Sequence, residues 1–190
     1  MTEPTSTCDI LVAAITAGDV DAVRTLVARG ALGDWEYGDS PLGLAAEAGR
    51  VEVVRLLLDA GIAVDAEDDD DEGGPGGGRT ALSAAAGAGE IAVARLLIER
   101  GANVNHPSSP LANAASSLEM TRLLVEAGAS PDQEDEDGRP VILYAVDAGQ
   151  PEVVQFLADA AGWEKDEALT ELLESARQAA SESDDEADDD

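Results

Sequence analysis

The sequence is poor in the residues from which most catalytic sites are built. It has one cysteine, Cys8, and one histidine, His106, so an internal disulfide and a His/Cys metal cluster are excluded. Aromatic residues make up only 3% of the chain, so the core must consist mainly of Ala, Leu and Val. No apolar run approaches the roughly 20 residues of a membrane helix. These absences leave no cluster from which a hydrolase or a metalloenzyme site could be assembled.

Positive charge is also scarce. Eleven basic residues, of which only Lys165 is a lysine, face 41 acidic residues, and the formal net charge is −30. Such a field repels nucleic acid and anionic membranes and attracts cations and basic proteins. Nearly half of the acids lie in three blocks, at residues 65–72, 132–137 and 182–190. The charge is therefore either an interaction surface or, since the composition resembles that of haloarchaeal proteins, an adaptation to a salt-rich, halophilic cytoplasm.

One short pattern recurs along the chain. Residues 44–49 (Leu-Ala-Ala-Glu-Ala-Gly) are followed by 56–61 (Leu-Leu-Leu-Asp-Ala-Gly), and 84–89 (Ala-Ala-Ala-Gly-Ala-Gly) by 96–101 (Leu-Leu-Ile-Glu-Arg-Gly). Weaker copies occupy 10–30, 111–128 and 142–162. Five copies of one unit predict a protein of stacked repeats.

The sequence of each unit predicts a helix, a tight turn, a second helix and an extended loop. In the second unit, Ser40 can cap the first helix and Pro41 fits its first turn. Gly49 ends that helix and Gly61 ends the next one, as glycines in the left-handed conformation do. The small Ala residues of the first helices allow neighbouring helices to approach closely.

These residues resemble the ankyrin repeat. The family's opening Thr-Pro-Leu-His corresponds to Ser-Pro-Leu-Gly at 40–43, Thr-Ala-Leu-Ser at 80–83 and Ser-Pro-Leu-Ala at 109–112, and its closing Gly-Ala-Asp-Val-Asn to Gly-Ala-Asn-Val-Asn at 101–105. The resemblance covers residues 8–162 and implies an all-α solenoid of helix-turn-helix units with extended finger loops. The motif's histidine is missing from every copy, so its usual hydrogen bonds between repeats must be absent or replaced.

The expected domain boundaries follow the repeats. Five units are expected at 8–33, 38–67, 78–106, 108–134 and 138–162, with a flexible acidic and Gly-rich insert at 68–77 and disordered ends at 1–7 and 181–190. The fourth unit lacks the glycine between its helices, which predicts a short first helix. A capping helix is expected at 163–180, where Trp163, Leu169, Leu172, Leu173 and Ala176 have helical spacing. The alternative is a detachable partner-binding helix.

Catalytic and metal-binding motifs fail on inspection. The Gly-rich run at 73–78 lacks the Lys-Ser/Thr of a phosphate loop. The two acidic loops, aligned as EF-hands, place Arg79 and Tyr144 where a bidentate Glu is required. We therefore expect no catalytic residue, no metal site and no cofactor.

What remains is binding, which the resemblance assigns to a concave face formed by the fingers and first helices. Transferred position by position, the candidate partner-binding residues are Asp34, Trp35, Glu36, Tyr37, Asp39, Glu47, Glu67, Arg79, His106, Glu134, Arg139 and Asp147. Trp35 and Tyr37 are the expected anchors, because aromatic residues are often interface hot spots. The alternative for Trp35 is packing against the neighbouring finger.

The expected partner is another protein with a basic surface, bound by a cytoplasmic monomer that contacts neither nucleic acid nor membrane directly. Residues 1–7 show no pattern of a secretory signal. The alternative function is a polyanion mimic that sequesters a basic nucleic-acid-binding protein.

The two explanations of the charge predict different responses to salt. If the acids are a halophilic adaptation, the melting temperature should rise steeply from low to multimolar KCl, because salt screens their mutual repulsion. Thermal unfolding followed by circular dichroism measures this. An unchanged melting temperature would contradict the adaptation and favour a role of the acids in binding.

Overall fold

The computed structural model describes residues 6–33, 40–68, 78–135, 138–163 and 167–187. Eleven helices occur in these ranges, and the chain divides into two compact units, unit 1 (Met1–Asn103) and unit 2 (Val104–Asp190). The helices of unit 1 are α1 (Thr7–Ala17), α2 (Val20–Ala28), α3 (Pro41–Glu47), α4 (Val51–Asp59), α5 (Ala81–Ala88) and α6 (Ile91–Glu99). Those of unit 2 are α7 (Pro110–Asn113), α8 (Leu118–Glu126), α9 (Ile142–Asp147), α10 (Pro151–Ala161) and α11 (Glu167–Ala187). The all-α, helix-turn-helix fold class predicted from the repeats is confirmed.

The first helices begin where the sequence supplies a cap. The Ser40 hydroxyl accepts a hydrogen bond from the Gly43 amide at 2.9 Å, and Pro41 occupies the first turn of α3. Thr80 and Ser83 bond reciprocally at the start of α5. These bonds satisfy amides that have no partner within the helix.

Unit 1 is built from two parallel rows of helices. The first helices α1, α3 and α5 pack on one another in that order, and the second helices α2, α4 and α6 form the other row. Ala45 and Ala46 of α3 and Ala84 and Ala85 of α5 are buried, which is what allows these helices to approach closely. Between the rows lie fully buried leucines, each contributing about 1.5–3 kcal/mol of burial free energy. They are Leu42, Leu57, Leu82 and Leu97.

Unit 2 repeats this arrangement with a shorter first pair. Helix α7 packs against α9, α8 against α10, and α11 against both α9 and α10, the position expected of a capping helix. Helix α7 has only four residues, as the missing glycine predicted. Its preceding residue, Ser109, has φ 45° and makes no capping bond, whereas the Ser117 hydroxyl caps α8 through the Met120 amide at 3.3 Å.

Two boundaries differ from those expected. Helix α11 begins at Glu167, and Trp163 is 40% exposed because it lies outside the helix, after the left-handed Gly162. The buried stripe of α11 therefore reduces to Leu169 and Ala176. The helix also continues beyond the expected end at 180, to Ala187, because that segment contains no Gly or Pro to end it. The predicted disorder of 181–190 stays a prediction. Within the described residues, none of the helices has both the length and the apolar character needed to cross a bilayer.

The turn between the two helices of a repeat carries a charge that differs from repeat to repeat. Arg50 lies against Gly18, and its Nε donates to the Thr16 carbonyl at 2.8 Å, which satisfies the end of α1. Glu90 holds the equivalent position one repeat later, against Gly49 at the end of α3. A negative side chain is unfavourable at a helix C-terminus and favourable at an N-terminus. Each of these residues is also the N-cap of the following helix, α4 for Arg50 and α6 for Glu90. The effects of each charge on the two helix ends therefore oppose each other, and the hydrogen bond of Arg50 to Thr16 is what distinguishes the two turns.

We therefore expect Arg50→Gln to lower the free energy of unfolding by about 0.5–1.5 kcal/mol, because the end of α1 loses its hydrogen bond from the Arg50 side chain. Glu90→Gln is the comparison variant at the equivalent turn, and it should change the free energy of unfolding by less than about 0.5 kcal/mol, because its effects on α3 and α6 oppose each other. Urea unfolding followed by circular dichroism measures both. Equal stability of Arg50→Gln and the native protein would show that the bond to Thr16 contributes nothing.

Candidate partner-binding surfaces

Within the described residues, each unit contains one finger that is closed by a short antiparallel bridge. In unit 1, Glu67 pairs with Thr80, and the Asp68 amide donates to the Arg79 carbonyl at 3.0 Å. In unit 2, Glu134 pairs with Pro140, and the Asp135 amide donates to the Arg139 carbonyl, also at 3.0 Å. The finger residues chosen from sequence thus occupy equivalent positions: Glu67 and Glu134 on one side, Arg79 and Arg139 on the other.

In unit 1, the arginine of the finger is paired with an acid of a first helix. Arg79 Nη1 lies 3.2 Å from the Glu47 carboxylate, and the two side chains are 40% and 52% exposed. The residue of α5 that matches Glu47 is Gly87. Since its own repeat offers no acid there, Arg79 reaches back to the preceding repeat.

In unit 2, the corresponding pair lies within one repeat and includes an aromatic residue. Arg139 forms an ion pair with Asp147, at the end of α9, and its guanidinium lies 4.5 Å from the centre of the Tyr144 ring. The Tyr144 hydroxyl donates to Asp135 at 2.5 Å. The hydrogen bond to Asp147 raises the pKa of Arg139, and desolvation opposes that shift. The ion pair with Asp147 and the contact with Tyr144 hold the finger on the helix.

The carboxylate of Asp68 lies close to the position where the side chain of the motif histidine would begin. This carboxylate is buried and accepts a hydrogen bond from the Ser40 amide at 2.5 Å, so that it joins the finger to the start of α3. Gly43 stands at the histidine position of the motif, and a Cβ there would lie 3.1 Å from an Asp68 oxygen. The sequence assigned Asp68 to the flexible insert; the structure corrects this, because the absent side chain of Gly43 leaves room for the carboxylate. Residues 69–77 lie outside the described residues.

Of the remaining predicted site residues, five have no described position. Asp34, Trp35, Glu36, Tyr37 and Asp39 lie outside the described residues.

His106 is 8% exposed, and its Nδ1 accepts a hydrogen bond from the Ser108 amide at 3.2 Å. This burial corrects its assignment to the contact surface: His106 stabilises the turn before α7. Sequence reasoning missed Tyr144, although a Tyr in place of the aliphatic Leu44 and Ala84 of earlier repeats was the available signal.

Chemically, the described side chains of these surfaces can form ion pairs and hydrogen bonds. Among the described residues, no group of three or more His, Cys, Asp or Glu side chains could hold a metal ion. The arginines that could activate or bind an anion, Arg79 and Arg139, are occupied by carboxylates.

Comparison with known families agrees with this geometry. The description "Ankyrin repeats (3 copies)" matches residues 10–108, and "Ankyrin repeats (many copies)" matches residues 111–158. The chain belongs to the ankyrin repeat family. Ankyrin repeats are generally modules of protein–protein interaction and non-catalytic scaffolds. Among curated proteins, none matches this sequence.

Removing the Asp68 carboxylate should unfold the finger of unit 1 and weaken the start of α3. We expect Asp68→Ala to lower the free energy of unfolding by about 1–3 kcal/mol, because it leaves a buried amide without its acceptor. Asp68→Asn retains an acceptor oxygen and should lose less. Urea unfolding compares the variants. Equal stability of Asp68→Ala and the native protein would show that the bond to Ser40 contributes nothing.

Proposed function

We propose that this chain binds a partner protein with a basic surface through its fingers and first helices, and that it catalyses no reaction. Each unit contributes an acidic patch of its own. In unit 1 the patch contains Glu47, Glu67 and Arg79, and in unit 2 it contains Glu134, Arg139 and Asp147.

The observation that carries the proposal is that the arginines of the fingers are already paired with carboxylates. Within the described fingers and first helices, Arg79 and Arg139 are the only Lys or Arg residues, and each is paired with a helix carboxylate. Glu134 and Asp132 remain exposed near Arg139 in unit 2, as does Glu67 in the finger of Arg79 in unit 1. The charge left over on each patch is negative, which favours encounter with a positive surface.

The ion pairs also hold the fingers in one arrangement before a partner arrives. Arg139, stacked on Tyr144 and bound to Asp147, has already lost the rotamer freedom that binding would otherwise remove. An ordered patch with a half-buried aromatic ring suits an interface anchor. Tyr144 therefore joins Trp35 and Tyr37 among the aromatic residues proposed as anchors.

Neutralising the fingers should release the partner. We expect Glu67→Gln/Glu134→Gln to reduce, by at least about tenfold, the amount of a basic-surfaced protein captured from the source cell, because close charge pairs across an interface contribute strongly. Glu99→Gln/Glu126→Gln is the matched control: it removes the same charge from exposed ends of the second helices α6 and α8 and should leave capture unchanged. Trp35→Ala/Tyr37→Ala tests the anchors. Quantitative mass spectrometry of the captured proteins gives the comparison.

The same capture distinguishes the polyanion mimic. If the partner is a nucleic-acid-binding protein lost on deletion of 69–77 and 181–190 but not in the finger variant, the mimic replaces the proposal. The deletion begins at residue 69 because Asp68 supports the fold. Equal loss in the finger variant and its matched control would overturn recognition by the fingers.

A further inference from the structure

Unit 2 contains a second candidate surface, on the side formed by its second helices. An open groove of about 420 Å³ runs over α10 between α8 and α11, within the range of about 300–1,000 Å³ usual for ligand sites. Leu118 of α8, Phe156 of α10 and Leu173 of α11 line it, and each is only half-buried. Apolar surface of this kind remains available to another molecule.

Arg122 in this groove behaves differently from its counterparts in other repeats. Arg24 and Arg55 hold the same position in α2 and α4, and each pairs with the acid three residues earlier. Arg122 has Glu119 at that spacing, yet its guanidinium lies over the Phe156 ring, 4.7 Å from its centre. Stacking occupies the flat face of a guanidinium and leaves the N–H groups at its edge able to bind a carboxylate in bidentate fashion.

Arg177 of α11 lines the opposite wall of the groove. Both arginines are exposed, and within the described residues neither forms an ion pair. Five other arginines of this strongly acidic chain are paired with carboxylates. Arg29, Arg50 and Arg95 also form no ion pair in the described residues, but Arg122 and Arg177 lie together along one groove.

Two acids line the same groove, but each has an interaction of its own. Asp159 accepts a hydrogen bond from the Gln155 side chain at 2.9 Å. Glu152 lies in the first turn of α10, where the helix dipole stabilises a negative charge. The four charges of the lining thus sum to zero, but within the described residues neither acid forms an ion pair with Arg122 or Arg177, so both guanidinium groups keep N–H donors for another carboxylate.

We propose that this groove binds an acidic peptide segment of a partner protein. An apolar side chain of the peptide packs on Phe156, Leu118 and Leu173, and carboxylates on either side of it pair with Arg122 and Arg177. The proposal goes beyond the function proposed above, because it places a second recognition site, for the opposite charge, on a different side of unit 2.

The test uses the full chain and a fluorescein-labelled peptide with a Leu-Phe centre flanked by Glu on both sides. Binding is measured by fluorescence anisotropy in about 0.5 M KCl, where the Debye length is roughly 4 Å and the net charge of the chain is screened. We expect Arg122→Gln and Arg177→Gln each to raise the Kd at least about tenfold, since each loses a charge-assisted contact. Circular dichroism verifies that both variants are folded.

Arg95→Gln is the matched control. Arg95 holds the position of Arg122 in α6, is exposed and pairs with no acid in the described residues, so its replacement should change the Kd less than about twofold. Replacing Glu by Lys, or Leu-Phe by Ser, in the peptide should abolish binding. Glu67→Gln/Glu134→Gln should leave peptide binding unchanged, which separates this test from that of the finger patches.

A photoreactive benzophenone in place of the Phe of the peptide locates the site independently. Cross-links to α8, α10 or α11 support the proposal, and cross-links confined to other helices overturn it. It is equally overturned if the Glu peptide fails to bind, if the Lys peptide binds as tightly, or if Arg95→Gln weakens binding as much as Arg122→Gln does.

Discussion

Close contact between successive first helices is the constraint on which the binding surface of unit 1 depends. Helices α3 and α5 bury Ala45, Ala46, Ala84 and Ala85, and larger side chains at these positions would force the two helices apart. The finger of the later repeat could then no longer reach the earlier one. Both links across this boundary, from Asp68 to the Ser40 amide and from Arg79 to Glu47, are short contacts that need this spacing. The small residues of the core thus determine where the charged residues of the surface lie.

The few arginines of the chain determine which surfaces are negative. Where an arginine pairs with an acid, as Arg79 does with Glu47 and Arg139 with Asp147, the two charges compensate each other and the surrounding carboxylates are left in excess. Where it meets an aromatic ring, as Arg122 meets Phe156, its charge is retained. Exposed ion pairs contribute little to stability. Whether an arginine pairs with an acid or stacks on a ring therefore affects mainly the charge that each surface presents to a partner.

The repeat pattern predicted most of the fold because its signals are local. Capping residues, glycine stops and helical spacing act within a few residues, and the observed helix pairs follow them, including the short α7. The predicted finger positions also proved equivalent in the two units, because the repeat length carries them to the same place. The prediction for Asp68 failed because its role depends on a distant residue, Gly43, whose missing side chain leaves room for the carboxylate. His106 and Trp163 differ from expectation for local reasons: His106 is buried in the turn before α7, and Trp163 lies outside α11.

The sequence alone determined the ankyrin-repeat architecture, the helix pairs and the excess of negative charge, since each of these depends on composition and on spacing along the chain. The tertiary structure alone decided which charges are compensated and which remain available. Arg79 pairs with Glu47 of the preceding repeat, since its own repeat has Gly87 at that position. Arg139 stacks on Tyr144, and Arg122 lies over the Phe156 ring instead of pairing with Glu119. These outcomes depend on distances of a few ångströms between side chains of different elements, and spacing along the chain does not encode such distances.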